Sequence, residues 1–210
     1  MSEKILSKRK ISTKQITIIG MLSAISIVLG VTGLGYIPIP PVHTTIMHVP
    51  VIIGSLLEGP VVGAFLGLIF GLTSMFQAIK TPTPVSFIFL NPLVAIVPRI
   101  LIGITPYYTY KVLSKLPFKI NKSKSSKGKH TVLDYMDSIL SIAVGSFTNT
   151  IGVLGMMYIL YFDAFIKAFG YTRAVGNGIF IGYLLNGFVS AGAAIVIGLP
   201  VVKAVKYLKK

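Results

Sequence analysis

The sequence contains no cysteine, which excludes disulfide bonds, thiol nucleophiles and thiolate metal sites. Acidic residues are also scarce, with five Asp and Glu among 210 residues. The phosphate-binding motif GxxxxGK[ST] does not occur, and there is no acidic cluster that would hold magnesium. The chain is therefore not expected to hydrolyse ATP by that route.

Apolar residues dominate the composition. They make up 53% of the chain, charged residues make up 12%, and the mean hydropathy is +0.82, which is too apolar for a soluble domain. A helix needs about 20 apolar residues to cross a hydrocarbon core of about 30 Å. Six runs approach this length, although the second is short, and none shows the alternation of a membrane barrel. We predict an all-α integral membrane protein with six transmembrane helices, at residues 16–34, 46–57, 61–78, 90–113, 135–162 and 179–202.

Basic residues give the chain a net charge of +15 and are unevenly placed. Sixteen of the 20 fall on one side of the predicted helices, and the positive-inside rule makes that side cytoplasmic. We predict one domain in the cell membrane, residues 1–210, with a cytoplasmic N-terminal segment (1–15), a basic cytoplasmic loop (114–134) and a cytoplasmic tail (203–210). The basic segments are predicted to contact anionic membrane lipid or a partner protein, and no nucleic acid.

The predicted turns differ between the two sides of the membrane. On the cytoplasmic side the stretch LLEGP, residues 56–60, makes a short turn, so the second and third helices should be antiparallel neighbours. The outer loops, GYIPIPPVHTT and IKTPTPVSFIFLNP, are longer and rich in proline, which disfavours helix. We predict that they arch over the mouth of a cavity; the alternative is that proline only ends helices there.

Three glycines in the third predicted helix are spaced by four residues. Gly63, Gly67 and Gly71 fall on one face and form a smooth groove for close contact with another helix. We predict that this face packs inside the protein rather than against another subunit.

Several segments together resemble a known family. The stretch TTIMHVPVIIGSLLEGPVVGAFLGLIFGLTSMFQ, residues 44–77, is followed by TPTPVSF and NPLVAIVPRILIG. With six helices and cytoplasmic termini, this arrangement resembles the substrate-binding (S) components of energy-coupling factor (ECF) vitamin transporters, most of all the pantothenate-type members. The resemblance covers nearly the whole chain and is densest over residues 44–103.

The resemblance implies a small helical protein that captures a vitamin outside the cell. Such a protein docks on a transmembrane coupling protein and two ATPases that supply the energy, so it is not itself an enzyme and needs no cofactor. The first helix of the family docks through small residues spaced by four; Gly20 and Ala24 match this pattern, whereas Val28 is bulkier. The alternative is that Gly20 and Ala24 pack against helices of the same chain.

One arginine lies inside the fourth predicted helix. Counted from Leu90, Arg99 is about 13 Å deep, where an arginine costs at least about 2.5 kcal/mol unless it faces protein. No acidic residue is predicted at this level, and a ligand carboxylate such as that of pantothenate would bind the guanidinium through two parallel hydrogen bonds. The alternative is that Arg99 binds backbone carbonyls freed by Pro98, in particular that of Val94.

Other polar residues are predicted to face the same cavity. Amides offer a donor and an acceptor to neutral ligand groups, while the alternative for each is to bridge two helices. Two histidines five residues apart, without a third ligand, predict hydrogen bonding in the outer lid and no metal site. With Arg99, the predicted substrate-binding residues are Gln77, Asn91, Asn149, Asn186, His43, His48 and Thr83.

Other functional classes stay open from the sequence. An ion-driven carrier usually carries carboxylates inside the membrane, and here all five acidic residues lie at predicted helix ends or in loops. A membrane enzyme would need a nucleophile, or a pair of acids and a histidine, at one depth, and no such set is evident. Within the transporter class, another water-soluble vitamin or a precursor is the alternative ligand.

Overall fold

A computed structural model describes residues 11–39, 42–82, 85–115 and 132–208. In these ranges the chain forms seven helices and one antiparallel β hairpin. The helices are α1 (Thr13–Val31), α2 (Val49–Glu58), α3 (Pro60–Lys80), α4 (Ser86–Phe89), α5 (Pro92–Ser114), α6 (Val132–Phe169) and α7 (Arg173–Leu208). The strands β1 (Tyr36–Ile39) and β2 (Val42–Thr45) lie between α1 and α2.

Five of the described helices, α1, α3, α5, α6 and α7, are long and apolar enough to cross a membrane. Large apolar side chains on all five are exposed, including Ile16, Leu72, Leu93, Ile159 and Val196. Such a surface is unusual on a soluble monomer, whereas lipid covers it in a bilayer. These features are those of a multi-pass membrane protein.

Helix α2 coincides with the second predicted span, residues 46–57, but has only 10 residues. Its length is about 15 Å, half of a hydrocarbon thickness of about 30 Å. All its residues from Val49 to Leu56 are buried, so α2 is a central element enclosed by longer helices. The six predicted spans therefore correspond to five long helices and one short buried helix, and a sixth crossing stays a prediction.

Helix α1 begins and α7 ends at the same end of the bundle, which we name the basic end. There Lys14 of α1 lies 3.8 Å from Glu58 at the end of α2. On the other helices, the Lys206 ammonium of α7 lies 3.8 Å from the ring centroid of Tyr110 on α5. We name the opposite end, which carries the hairpin and α4, the hairpin end. The cytoplasmic position of the basic end stays a prediction, and most of the basic loop at 114–134 lies outside the described residues.

The turn between α2 and α3 has the predicted form. Gly59 has a φ of 101°, a conformation that favours glycine, and Pro60 begins α3 directly after it. The two helices then pack closely, because a side-chain carbon added at Gly54 of α2 would overlap Leu66 of α3. The predicted antiparallel neighbours are confirmed.

The first proline-rich loop forms a two-stranded β hairpin, a detail within the predicted all-α fold that was not predicted from the sequence. In the ladder Tyr36 pairs with Thr45, and Pro38 lies opposite His43. Proline lacks an N–H and is tolerated in edge strands, and both strands of a two-stranded ribbon are edges. The loop avoids helix, as predicted, and satisfies its backbone by pairing with itself.

Helices α6 and α7 are longer than predicted, with 38 and 36 residues. A helix of that length is about 55 Å long and exceeds the hydrocarbon thickness. At the hairpin end Phe165, in the added turns of α6, meets Phe180 of α7 edge to face at 5.5 Å, and Phe162 at the end of the predicted span is also buried. Aromatic packing therefore holds these turns beyond the apolar run that the prediction measured.

The glycine face of α3 packs against α5. A side-chain carbon added at Gly63 would overlap the backbone of Gly103, and one at Gly67 would overlap the backbone of Arg99. At Gly71 it would lie 2.8 Å from the carbonyl oxygen of Ala95. The prediction that this face packs inside the protein is confirmed, and its partner is α5.

We expect Gly67→Ala to destabilise the protein by about 1–3 kcal/mol, because the new methyl group must push α3 and α5 apart. Gly182→Ala on α7 is the matched control, since a side-chain carbon there would have no atom of the described residues within 4 Å. Removal of a helical glycine should leave the control as stable or more stable, by up to about 1 kcal/mol. Thermal unfolding in detergent measures both variants, and equal midpoints would contradict the close approach.

Candidate ligand-binding site

Arg99 is buried on α5, with 6% of its surface exposed. Its Nη1 donates a hydrogen bond of 2.7 Å to the carbonyl oxygen of Val94. Pro98 has no N–H to offer this carbonyl, so the helix leaves an acceptor for the arginine. The backbone partner proposed as an alternative from the sequence is therefore present. A guanidinium has five N–H donors, so this bond is compatible with further partners.

Two aromatic rings contact the guanidinium. Its central carbon lies 5.6 Å from the ring centroid of Phe70 on α3 and 5.4 Å from that of Phe89 on α4. Side chains of a helix tilt toward its N-terminus, and α5 begins at the hairpin end. The guanidinium accordingly extends from the α3–α5 contact toward the hairpin end.

His48 is fully buried at the start of α2 and contacts α6. Its Nε2 lies 3.0 Å from the hydroxyl of Ser146, which is also fully buried. The other ring nitrogen, Nδ1, is buried without a hydrogen-bond partner among the described residues. A buried polar atom of this kind is costly, so it marks a place where a ligand or a water is expected to bind.

Asn149 lies on the face of α6 that meets α5. It is one turn from Gly145, which packs against Pro106, and one turn from Gly152, which packs against Pro98. Its Oδ1 is buried, and no partner for that atom occurs in the described part of the chain. Along α6, Ser146 contacts His48, and Gly152 contacts Pro98, the residue before Arg99. Asn149 therefore lies between the level of His48 and that of Arg99.

Gln77 and Asn186 lie on other helices around this region. The amide nitrogen of Gln77 would be 3.1 Å from a side-chain carbon added at Gly30 of α1, so Gln77 packs between α3 and α1. Asn186 of α7 is next to Gly187, which packs against Thr150 of α6, the neighbour of Asn149. The two amides of α6 and α7 therefore flank one helix contact.

Asn91 has a structural role in the described conformation. Its side-chain oxygen accepts a hydrogen bond of 2.9 Å from the Leu93 N–H and caps α5, while its amide nitrogen donates to the Tyr161 hydroxyl at 2.9 Å. This matches the helix-bridging alternative for Asn91. It also places Asn91 beside α4 rather than beside His48.

The remaining predicted binding residues are in the outer loops. The backbone of His43 belongs to β2, opposite Pro38, and its side chain is not among those described. Thr83 lies outside the described residues. Both stay predictions. In the described part of the chain no group of three His, Cys, Asp or Glu side chains is placed to hold a metal ion.

Three residues of this region were missed in the sequence. Ser146 is three residues before Asn149, and this helical spacing is a signal that would have included it. Phe70 and Phe89 read as ordinary apolar residues, since nothing in their neighbourhood indicates a contact with the arginine. Phe89 in particular depends on the position of α4, which the sequence does not predict.

Gly20 and Ala24 are exposed on α1. No heavy atom lies within 4 Å of a side-chain carbon added at Gly20, whereas Ser23, Ser26 and Gly30 face the bundle and are buried. In the described part of the chain, the alternative that Gly20 packs internally is therefore not supported. The small residues are on the outer surface of α1.

Comparison with known proteins agrees with a helical bundle that carries a buried polar site. The family model described as "ECF transporter, substrate-specific component" matches residues 14–205. The chain belongs to this family. As an S component it is a transport subunit and not an enzyme.

Two curated relatives of this S component carry substrate names. The chain is 34% identical over 141 residues to the pantothenic acid transporter PanT of Lactococcus lactis subsp. cremoris. The aligned segment covers 60% of this chain and 62% of the relative. The chain is 42% identical over 76 residues to the pantothenate transporter PanT of Leuconostoc mesenteroides subsp. mesenteroides. This aligned segment covers 34% of this chain and 37% of the relative. The aligned part is thus less than two thirds of each relative.

We expect Ser146→Ala to destabilise the ligand-free S component by about 1–3 kcal/mol, because it removes the partner of a buried imidazole nitrogen. Ser114→Ala is the control, since that serine is exposed and, among the described residues, its hydroxyl bonds only to the Lys111 carbonyl in the last turn of α5. The control should change stability by less than about 0.5 kcal/mol. Unfolding midpoints in detergent measure both, and an unchanged midpoint for Ser146→Ala would contradict the buried pair.

Proposed function

We propose that this S component binds pantothenate and that Arg99 binds the carboxylate. The observation that carries the proposal is the buried guanidinium of Arg99, which two rings and a carbonyl hold in the half of the bundle nearer the hairpin. The names of the two relatives support the same ligand. Guanidinium and carboxylate form two parallel hydrogen bonds, so the contact suits an anionic vitamin.

His48 and Asn149 are proposed to bind the neutral part of the ligand. Pantothenate carries hydroxyl groups and an amide in addition to its carboxylate, and each of these groups can donate or accept a hydrogen bond. The buried Nδ1 of His48 and the buried Oδ1 of Asn149 supply one partner each. Because His48 contacts Ser146 and Pro98 contacts Gly152, the two ends of the site are about 9 Å apart along α6.

Transport is proposed to require partner subunits. An S component of this family works with a transmembrane coupling protein and two ATPases, and in this chain α1 offers Gly20 and Ala24 as its docking surface. Their exposure and spacing by four let another helix approach closely. We further propose that the basic end faces the cytoplasm and contacts anionic lipid, which agrees with Lys203 and Lys206 at the end of α7.

We expect purified protein to bind pantothenate and Arg99→Ala to weaken binding by about 2–5 kcal/mol, at least about 30-fold in Kd. Arg99→Lys should also bind weakly, because an ammonium cannot form the two parallel bonds. Calorimetric titration measures the three proteins, with a panel of other water-soluble vitamins alongside.

Arg173→Ala is the matched control, because Arg173 is an exposed cation paired with Asp163 at the hairpin end. It should bind as the parent does. Binding of a different vitamin would replace the proposed ligand, and pantothenate binding that survives Arg99→Ala would remove the assigned role of Arg99.

We expect the double variant Gly20→Leu and Ala24→Leu to lose its complex with the coupling protein while it keeps its affinity for pantothenate. Leucine side chains at these positions would prevent close approach of a second helix. Gly178→Leu on α7 is the control, since Gly178 is also exposed and an added carbon there would have no atom within 4 Å in the described part of the chain. Co-purification with the coupling protein and ATPases measures the effect, and an intact complex would place docking elsewhere.

A further inference from the structure

The guanidinium of Arg99 is held from two separate helices. Phe70 belongs to α3, is buried, and lies one turn from Gly67, where α3 touches the Arg99 backbone. Phe89 is the last residue of α4 and lies on the side of the hairpin end. The first ring is therefore fixed to the α3–α5 contact, and the second depends on where α4 lies.

Helix α4 has only four residues, and contacts at and just after its C-terminal end help to fix its position. Ile88 is fully buried in the apolar cluster that includes Phe162 and Phe165 of α6. Directly after α4, Asn91 donates its hydrogen bond to the hydroxyl of Tyr161 on α6. Phe89 lies between these two contacts, so α6 helps to position the ring that contacts Arg99, together with α3 and α5, against which α4 also packs.

The two rings are expected to fix the orientation of the guanidinium, and they do not neutralise its charge. A cation near an aromatic face is attracted to it, by about 0.5–2 kcal/mol according to how far both are removed from water. Arginine has a long side chain with several rotatable bonds, and two parallel hydrogen bonds require its planar end at a fixed angle. Groups that lock such a side chain before the ligand arrives reduce the free energy lost on binding.

We propose that Phe89, together with Phe70, is a positioning residue that orients Arg99 and thereby sets the preference for an anionic over a neutral ligand. The inference rests on the proposed function, since it concerns the same arginine. It adds that the carboxylate preference depends on α4 through the ring of Phe89. Loss of the Phe89 ring should thus reduce the charge-dependent part of binding and leave the remainder.

The experiment compares two ligands that differ at one group. Pantothenate carries the carboxylate, and panthenol carries a neutral hydroxymethyl group in its place. The preference is the ratio of the Kd for panthenol to the Kd for pantothenate, measured by calorimetric titration. We expect Phe89→Leu to lower this ratio by about 3- to 30-fold. The Kd for panthenol should change less than about twofold, because leucine keeps the site apolar.

Two further variants separate orientation from folding. Phe89→Tyr keeps an aromatic face and should retain the ratio within about threefold. Phe87→Leu removes the other ring of α4, which contacts Tyr161 edge to face at 5.9 Å and is not one of the rings over Arg99, so it should lower the ratio less than Phe89→Leu does. Thermal midpoints of all variants, without ligand, confirm that folded proteins are compared.

The outcomes distinguish the inference from the proposed function. If the parent protein does not bind pantothenate, or binds it equally well after Arg99→Ala, the proposed function fails. If that binding holds and Phe89→Leu keeps the ratio, only the positioning role fails. Equal weakening of both ligands, or an equal fall of the ratio in Phe87→Leu or Phe89→Tyr, would also overturn the positioning role, because the ring over Arg99 would then have no specific effect.

Discussion

The close approach of α3 and α5 determines the position of Arg99, the one arginine or lysine side chain that is buried inside the bundle among the described residues. Glycines at positions 63, 67 and 71 bring the backbone of α3 against Ala95, Arg99 and Gly103 of α5. With its backbone held at this contact, the arginine extends along α5 to the Val94 carbonyl and between the two rings. A larger residue on α3 would move the guanidinium and Phe70 relative to one another. Helix packing and the position of the arginine that is proposed to bind the ligand thus depend on the same three glycines.

Several features of this arrangement follow from local chemistry and were predictable. Glycines spaced by four produce a groove in any helix, and the turn at Gly59 and Pro60 requires little more than those two residues. Pro98 frees the Val94 carbonyl by its covalent structure alone, so the nearest backbone partner of Arg99 could be named from the sequence. Each of these features depends on residues that are neighbours along one helix or one turn, so the sequence alone predicts it.

The features that were not predictable depend on distant contacts. The hairpin forms because β1 and β2 of the loop pair with each other. A proline-rich composition allows such edge strands but does not predict them. The extra turns of α6 depend on aromatic contacts with α7, such as that of Phe165 with Phe180. The placement of Phe89 over Arg99 depends on α4, and α4 depends on Tyr161, 70 residues away from Asn91. Asn91 is predicted to face the cavity, and in the described conformation its side chain caps α5 and bridges to α6.

The shortness of α2 has a consequence for the hairpin. Helix α2 rises about 15 Å from the basic end, so the chain that precedes it is at about the middle of a hydrocarbon layer of about 30 Å. Non-helical backbone at such depth must be shielded from lipid and must have partners for its polar groups. The Ile46 N–H bonds to the Gly35 carbonyl, and the Ser190 hydroxyl bonds to the Thr45 carbonyl. The base of the hairpin is therefore subject to the hydrogen-bonding demands of a membrane interior, and substitutions there should be tolerated far less than in a surface loop.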